Sequence, residues 1–141
     1  GMGLIQAPFN VLDRRLLVQG LLEQARQRGI VVHLRSPLLQ GLLTLDPDDL
    51  PPAMAFARPD IAAWRALCRR HDVQPAPTAL AYALHVTPPA AVVVGCGTEA
   101  QLQYNLSVAA GPPLAAALLA EIDALTLHES QVSNPLFRPR P

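Results

Sequence analysis

Lysine is absent from this chain: all 11 basic side chains are arginine, and they are matched by 11 acidic ones. No residue here can serve as a lysine acid, base or Schiff-base partner. A formal net charge of zero removes the electrostatic footprint expected of a nucleic-acid or membrane-surface binder. No apolar run approaches the ~20 residues of a membrane span, and no basic segment leads into an apolar one as in a secretory leader. Cysteine is scarce as well. Cys68 and Cys96 are too few for a disulfide framework, so a cytoplasmic location is expected. His33, His71, His85 and His128 are dispersed and show no ligand spacing with one another or with cysteine, so no metal is expected. A nucleophile elbow, a P-loop and paired carboxylates are also missing.

What is abundant is leucine, alanine and proline. The first two make up about a third of the 141 residues, a helix former's composition. The 15 prolines fall in clusters that punctuate the chain, because proline has no donor and turns its predecessor away from helix. The length suits a single domain over residues 1–141, with an extended or disordered tail from 130 to 141. Gly1 reads as an expression remnant ahead of Met2.

The order of elements follows from the patterning between these breaks. Gly3 to Phe9 is a short apolar strand, and Arg14 to Arg28 has helical spacing that Gly29 stops. Ile30 to Leu34 is β-branched and apolar, as in a strand buried on both faces. A long loop runs from Ser36 to Pro59. Asp60 is expected to cap a helix through Arg70, a second helix spans Pro77 to Val86, and Ala90 to Val94 is a third buried strand. Thr98 and Pro113 open two further helices. Apolar strands separated by helices imply parallel pairing through crossovers, so the class is α/β with about three parallel strands.

Two loops at strand C-terminal ends carry the candidate chemistry. Gly95-Cys96-Gly97 leads into a helix opened by Thr98, and Thr98 and Gln101 have the spacing of a capping box. Glycines allow close backbone approach, and free N–H groups at a helix start favour an anion; an ordinary strand-to-helix turn is an equally good reading. Gly95, Gly97 and Ala100 formally match the dinucleotide fingerprint, but a helix follows where that motif needs a strand. Arg35 and Ser36 end the middle strand, with an anion contact or a snorkelling arginine as the alternatives. Gln6 is a polar residue within an apolar strand, and His33 is expected to line a core or barrel. Cys96 is expected to be a structural thiol.

Three segments together resemble the C-terminal part of the aldo/keto reductase family: residues 6–15 (QAPFNVLDRR), 35–43 (RSPLLQGLL) and Gly95 to Asn105. The resemblance implies strands six to eight of a (β/α)8 TIM barrel, hence a partial barrel, and an NADP(H)-dependent reduction of carbonyls. By the same resemblance Gln6 holds the nicotinamide carboxamide, Arg35 stands against the nicotinamide, and Ser36 and Leu38 contact the pyrophosphate. The segment with Gly95, Gly97, Thr98, Gln101 and Asn105 corresponds to the adenosine side. The family's usual cation near positions 95, 97 or 101 is missing, so NADP(H) binding is expected to be weak or absent.

The family's catalytic Asp, Tyr, Lys and His lie on earlier strands, and no catalytic residue is assigned here. Tyr82 and Tyr104 fall in helices and are not substitutes. Two readings follow. One is a truncated reductase-like protein that carries a cofactor-site remnant and needs an N-terminal barrel half. The other is a non-catalytic oligomerising or protein-interaction module that no longer binds nucleotide. A homodimer is the simplest partner arrangement, because bare sheet edges and a bare barrel-facing surface call for cover.

Overall fold

The computed structural model describes residues 3–85 and 91–126. Three strands, β1 (Leu4–Pro8), β2 (Val31–Arg35) and β3 (Ala91–Val93), form one parallel sheet in the order β1-β2-β3. Helices α1 (Arg15–Val18) and α2 (Leu21–Gln27) link β1 to β2, and α3 (Arg58–Arg70) and α4 (Pro75–His85) lie between β2 and β3. Helices α5 (Glu99–Ala109) and α6 (Ala116–Ala124) follow β3. The α/β class with three parallel strands is as the patterning predicted. The expected tail at 130–141 and the predicted ends of the third strand and second crossover helix at Ala90 and Val86 lie outside the described residues.

Several local expectations are corrected. The helix predicted over Arg14 to Arg28 is broken, because Gly20 takes a left-handed φ of 67° between α1 and α2. Gly29, at φ 66°, stops α2 as its sequence position implied. Asp60 does not cap α3. The helix begins earlier, with Ala57 at its N-cap, and the buried Asp60 sits inside the first turn near the positive end of the helix. The long loop after β2 is not irregular, since it contains 3-10 turns over Leu39–Thr44, Pro47–Asp49 and Pro52–Ala57.

No strand is buried on both faces: β2 is buried on one, and β1 and β3 are half-buried or exposed throughout. On β2, Val32 and Leu34 are buried while Val31 and Arg35 are exposed. The parallel register pairs Gln6 with His33 and Ala91 with His33, and pairs both Pro8 and Val93 with Arg35. Alternation along each strand therefore places Leu4, Gln6, Val31, His33, Arg35 and Val93 on one common face. Leu4 is 47% exposed on that face and Val93 is 43% exposed.

The core lies on the opposite face. Phe9, Leu34, Leu43, Ile61, Trp64, Leu67 and Ile122 have no exposed surface. Phe9 stacks on Tyr82 with ring centroids 5.7 Å apart. The Tyr82 hydroxyl donates to Asp123 Oδ1 at 2.7 Å, and burial together with this carboxylate pushes the phenol pKa well above its ordinary value. Trp64 Nε1 donates to the Leu43 carbonyl at 3.2 Å, which fastens the 3-10 turn after β2 to α3.

Candidate functional site

Every described strand points its C-terminal end towards the same rim, as parallel strands must, and ligands of α/β proteins gather there. At this rim the loop after β2, the loop after β3 and α5 enclose a cleft of about 530 Å³. Its walls include Ser36, Leu38, Gly41, Thr44, Gly95, Gln101, Tyr104 and Asn105.

The loop after β2 has a strained backbone. Ser36, Leu39 and Gln40 adopt φ of 61°, 51° and 55°, a region that costs a non-glycine residue about 1 kcal/mol or more. Fixed contacts hold it there. The Ser36 carbonyl accepts the Leu39 N–H at 3.0 Å and Asn10 Nδ2 at 3.2 Å. Thr44 Oγ1 donates to the Gly41 carbonyl at 2.7 Å. Arg35 is exposed and its Nη1 lies 3.4 Å from Ser36 Oγ.

The opposite wall is the start of α5. Thr98 has extended backbone angles at the N-cap, and its side chain accepts the Gln101 N–H at 3.2 Å. Gln101 Oε1 reaches back one residue further than a capping box would, accepting the Gly97 N–H at 2.7 Å instead of that of Thr98. Asn105 Nδ2 donates to Cys96 Sγ at 3.2 Å, tying the glycine loop to the second turn of the helix. Cys96 is exposed and free. Glu99 is the acidic residue of the first turn.

Of the residues singled out in the sequence, Ser36, Leu38, Gly95, Gln101 and Asn105 come together in the cleft wall. Gly97 and Thr98 build the turn behind that wall but do not line it. Gln6 and Arg35 stand on the open sheet face. Nothing in the sequence marked Gln40, Gly41 and Thr44 as wall residues, because the strained loop that carries them has no periodicity to reveal it, and Tyr104, weighed only as a catalytic substitute, lines the cleft from α5. Asn10, a fully buried polar residue, was likewise unmarked. None of the cleft-lining residues carries a formal charge. The site therefore offers neutral polar groups beside the start of α5, where the helix dipole favours an anionic group.

The sequence profile of the Aldo/keto reductase family matches residues 2–126. An NADH-specific methylglyoxal reductase of Escherichia coli is 30% identical over 120 residues, covering 75% of this chain and 36% of that protein. Two structures of an aldo-keto reductase from Bacillus halodurans share the fold. The apo form has a TM-score of 0.68 at 23% identity, over 88% of this chain and 43% of that one. The holo form gives 0.65 at 23% identity, over 86% and 41%. The match thus covers less than half the length of these relatives, and the three parallel strands correspond to part of an eight-stranded barrel. Its family is shown by the extent of the profile match: the chain belongs to the aldo/keto reductase family.

Proposed function

We propose that this chain supplies the cofactor side of an aldo/keto reductase, with a nicotinamide dinucleotide lying from the open sheet face into the cleft. The observation that carries the reading is the convergence of Ser36, Leu38, Gly95, Gln101 and Asn105 on one cavity at the strand C-terminal rim. The residues fit such a group in kind. Ser36 and the Gly95 backbone ahead of α5 would hold the pyrophosphate, while Tyr104 and Asn105 offer a ring face and an amide to the adenosine. Gln6 and Arg35, on the sheet face, would orient the nicotinamide end. When bound, the nicotinamide supplies a hydride for carbonyl reduction. The chain's own residues would bind and orient it, and the proton-donating groups would come from barrel strands other than these three.

The cofactor implied by the resemblance is NADP(H). With no cation lining the cleft, its 2′-phosphate gains little here, so binding to the chain alone is expected to be weak. Titration of the protein with NADP⁺ and NAD⁺ tests this, with perturbed amides at Ser36, Gly95 and Gln101 as the expected footprint. Uniformly unmoved resonances would end the reading. Carbonyl reduction is expected only when the remaining barrel strands with the catalytic tetrad are added. Turnover by the purified chain alone, with contaminating reductases excluded, would contradict it. A cytoplasmic location accords with the free thiols of Cys68 and Cys96.

The uncovered sheet face favours a second reading. Leu4, Val31 and Val93 are exposed there, and β1 and β3 are the edges of the sheet among the described residues. A homodimer or a complementary N-terminal barrel half would cover both features. In the form without nucleotide binding, the chain acts as an oligomerising module. Light scattering at micromolar concentration distinguishes the cases: a stable 15.1 kDa monomer would remove the oligomeric reading.

A further inference from the structure

We propose that Asn10 is a positioning residue for the cleft, holding the strained loop after β2 through the Ser36 carbonyl; this rests on the dinucleotide reading above. Asn10 has no exposed surface, and both ends of its amide are engaged. Oδ1 accepts the Leu12 N–H at 2.9 Å and closes the turn in which the Asn10 and Asp13 backbones pair at 3.2 and 3.0 Å. That acceptor role fixes the orientation of the amide, so the group facing Ser36 is the NH2 donor. The turn needs only Oδ1. The contact from Nδ2 to the Ser36 carbonyl at 3.2 Å is additional, and it crosses from the loop after β1 to the loop after β2.

The consequence is local and directional. Phe9 N–H donates to the Arg35 carbonyl at 3.0 Å, so residues 9 and 10 grip the consecutive carbonyls of residues 35 and 36. The Ser36 carbonyl takes a second bond from Leu39 N–H, and its two acceptor positions are then filled. The peptide after it leads into Pro37, which has no donor of its own to hold the plane. Ser36 is in the left-handed region, and the Asn10 bond opposes its relaxation to an extended φ. Relaxation of φ at Ser36 would swing its side chain relative to the held carbonyl and take the hydroxyl away from the cleft wall that Ser36 helps to form.

Asn10→Asp separates this role from simple stability. It keeps the side-chain shape and the acceptor for Leu12, but opposes an ionised oxygen to the Ser36 carbonyl at neutral pH. A protonated carboxyl can donate again. Affinity for NAD⁺ and NADP⁺, read by amide shift titration of folded protein, should fall about tenfold at pH 8. It should return towards the parent value near about pH 5, since burial and the facing carbonyl raise that carboxyl's pKa. Tyr82→Phe, which loses the hydroxyl bond to Asp123 but keeps a ring to stack on Phe9, should lower Tm and leave the dissociation constants unchanged. Equal affinity in parent and Asn10→Asp at both pH values, or a loss without acid recovery, overturns the positioning role alone. A parent that binds neither nucleotide overturns the dinucleotide reading and this proposal with it. Should Asn10→Asp fail to fold, Asn10→Ser keeps a hydroxyl acceptor for Leu12 and lacks the reach to Ser36, and unchanged binding there overturns the role.

Discussion

Arg14 Nη2 donates to the carbonyl of Leu125 at 2.6 Å, joining the loop after β1 to the end of the last described helix across 111 residues. Arg14 Nη1 donates to the Ile122 carbonyl in the same cluster. A buried guanidinium thus caps the C-terminal end of α6, where unpaired carbonyls concentrate negative potential. Arg14→Met should lower unfolding free energy by about 2–3 kcal/mol, the scale of charge-assisted bonds, since both carbonyls lose the guanidinium and Ile122 keeps only the Leu125 N–H. Urea denaturation with an unchanged m-value measures it. A shift below about 0.5 kcal/mol would show that α6 docks through Leu118 and Ile122 alone.

Gly20→Ala should destabilise the fold by about 1 kcal/mol through backbone conformation only. Its φ is 67°, yet a Cβ there would meet nothing within 4 Å. The thermal midpoint should therefore fall while nucleotide titration behaves as in the parent. A stabilised Gly20→Ala would mean that α1 and α2 fuse into the continuous helix the sequence suggests.

Gly97→Asp should abolish anion binding at the start of α5 without unfolding the protein. A Cβ at position 97 would make only an ordinary contact with Gln101 Oε1 at 3.5 Å. A carboxylate there suits the helix start, contributing about 0.3–1 kcal/mol of stability, and it repels a phosphate at the same place. Gly97→Ala, carrying the bulk without the charge, should bind as the parent does. Comparable loss in both variants would assign the effect to shape.

The two thiols should behave in opposite ways. Cys96 is exposed, whereas Cys68 is buried in α3 and its pKa is pushed up to about 11 by burial. A thiol reagent should label Cys96 in native protein and both cysteines only in denaturant. Because the folded value lies above the ordinary 9.0, the contribution of Cys68 to stability is complete below pH 9.0 and is lost as pH rises through about 11. Cys68→Ala should flatten the alkaline limb of the stability profile in that window. An unchanged limb would place the alkaline sensitivity elsewhere.

At the acid end, Glu121 is held below its ordinary carboxylate range, first by Arg70 and then by His71. Its folded pKa is depressed, so its contribution is present above the ordinary value of 4.5 and is lost as pH falls through the lower folded value. The group is exposed, and the effect should be small and sensitive to salt. Glu121→Gln should show a weaker salt dependence of stability near neutral pH than the parent, with the other surface ion pairs unchanged. Parent and variant with the same salt response would show that the Arg70 contact carries no stability.

Features that depend on local chemistry were legible in the residues alone. The β-branched run around Val32 must extend, Gly29 must end a helix, and Thr98 must open one, because each follows from dihedral preference or hydrogen bonding within a few residues. The three segments of family resemblance were legible for the same reason, as contiguous strings. The rest depends on packing between segments distant in the chain. Burial of β2 on one face depends on what lies across the sheet, which an apolar string such as IVVHL does not specify. The break at Gly20 depends on how α1 and α2 pack, since a glycine within helical periodicity is compatible with either outcome. The cleft exists because Asn10, Thr44 and Trp64 hold the 36–44 loop in backbone conformations its residues would not choose in isolation. Contacts between residues 26 positions apart, such as Asn10 and Ser36, form only when parallel pairing of β1 and β2 aligns their C-terminal ends, so local sequence patterning carries no trace of them.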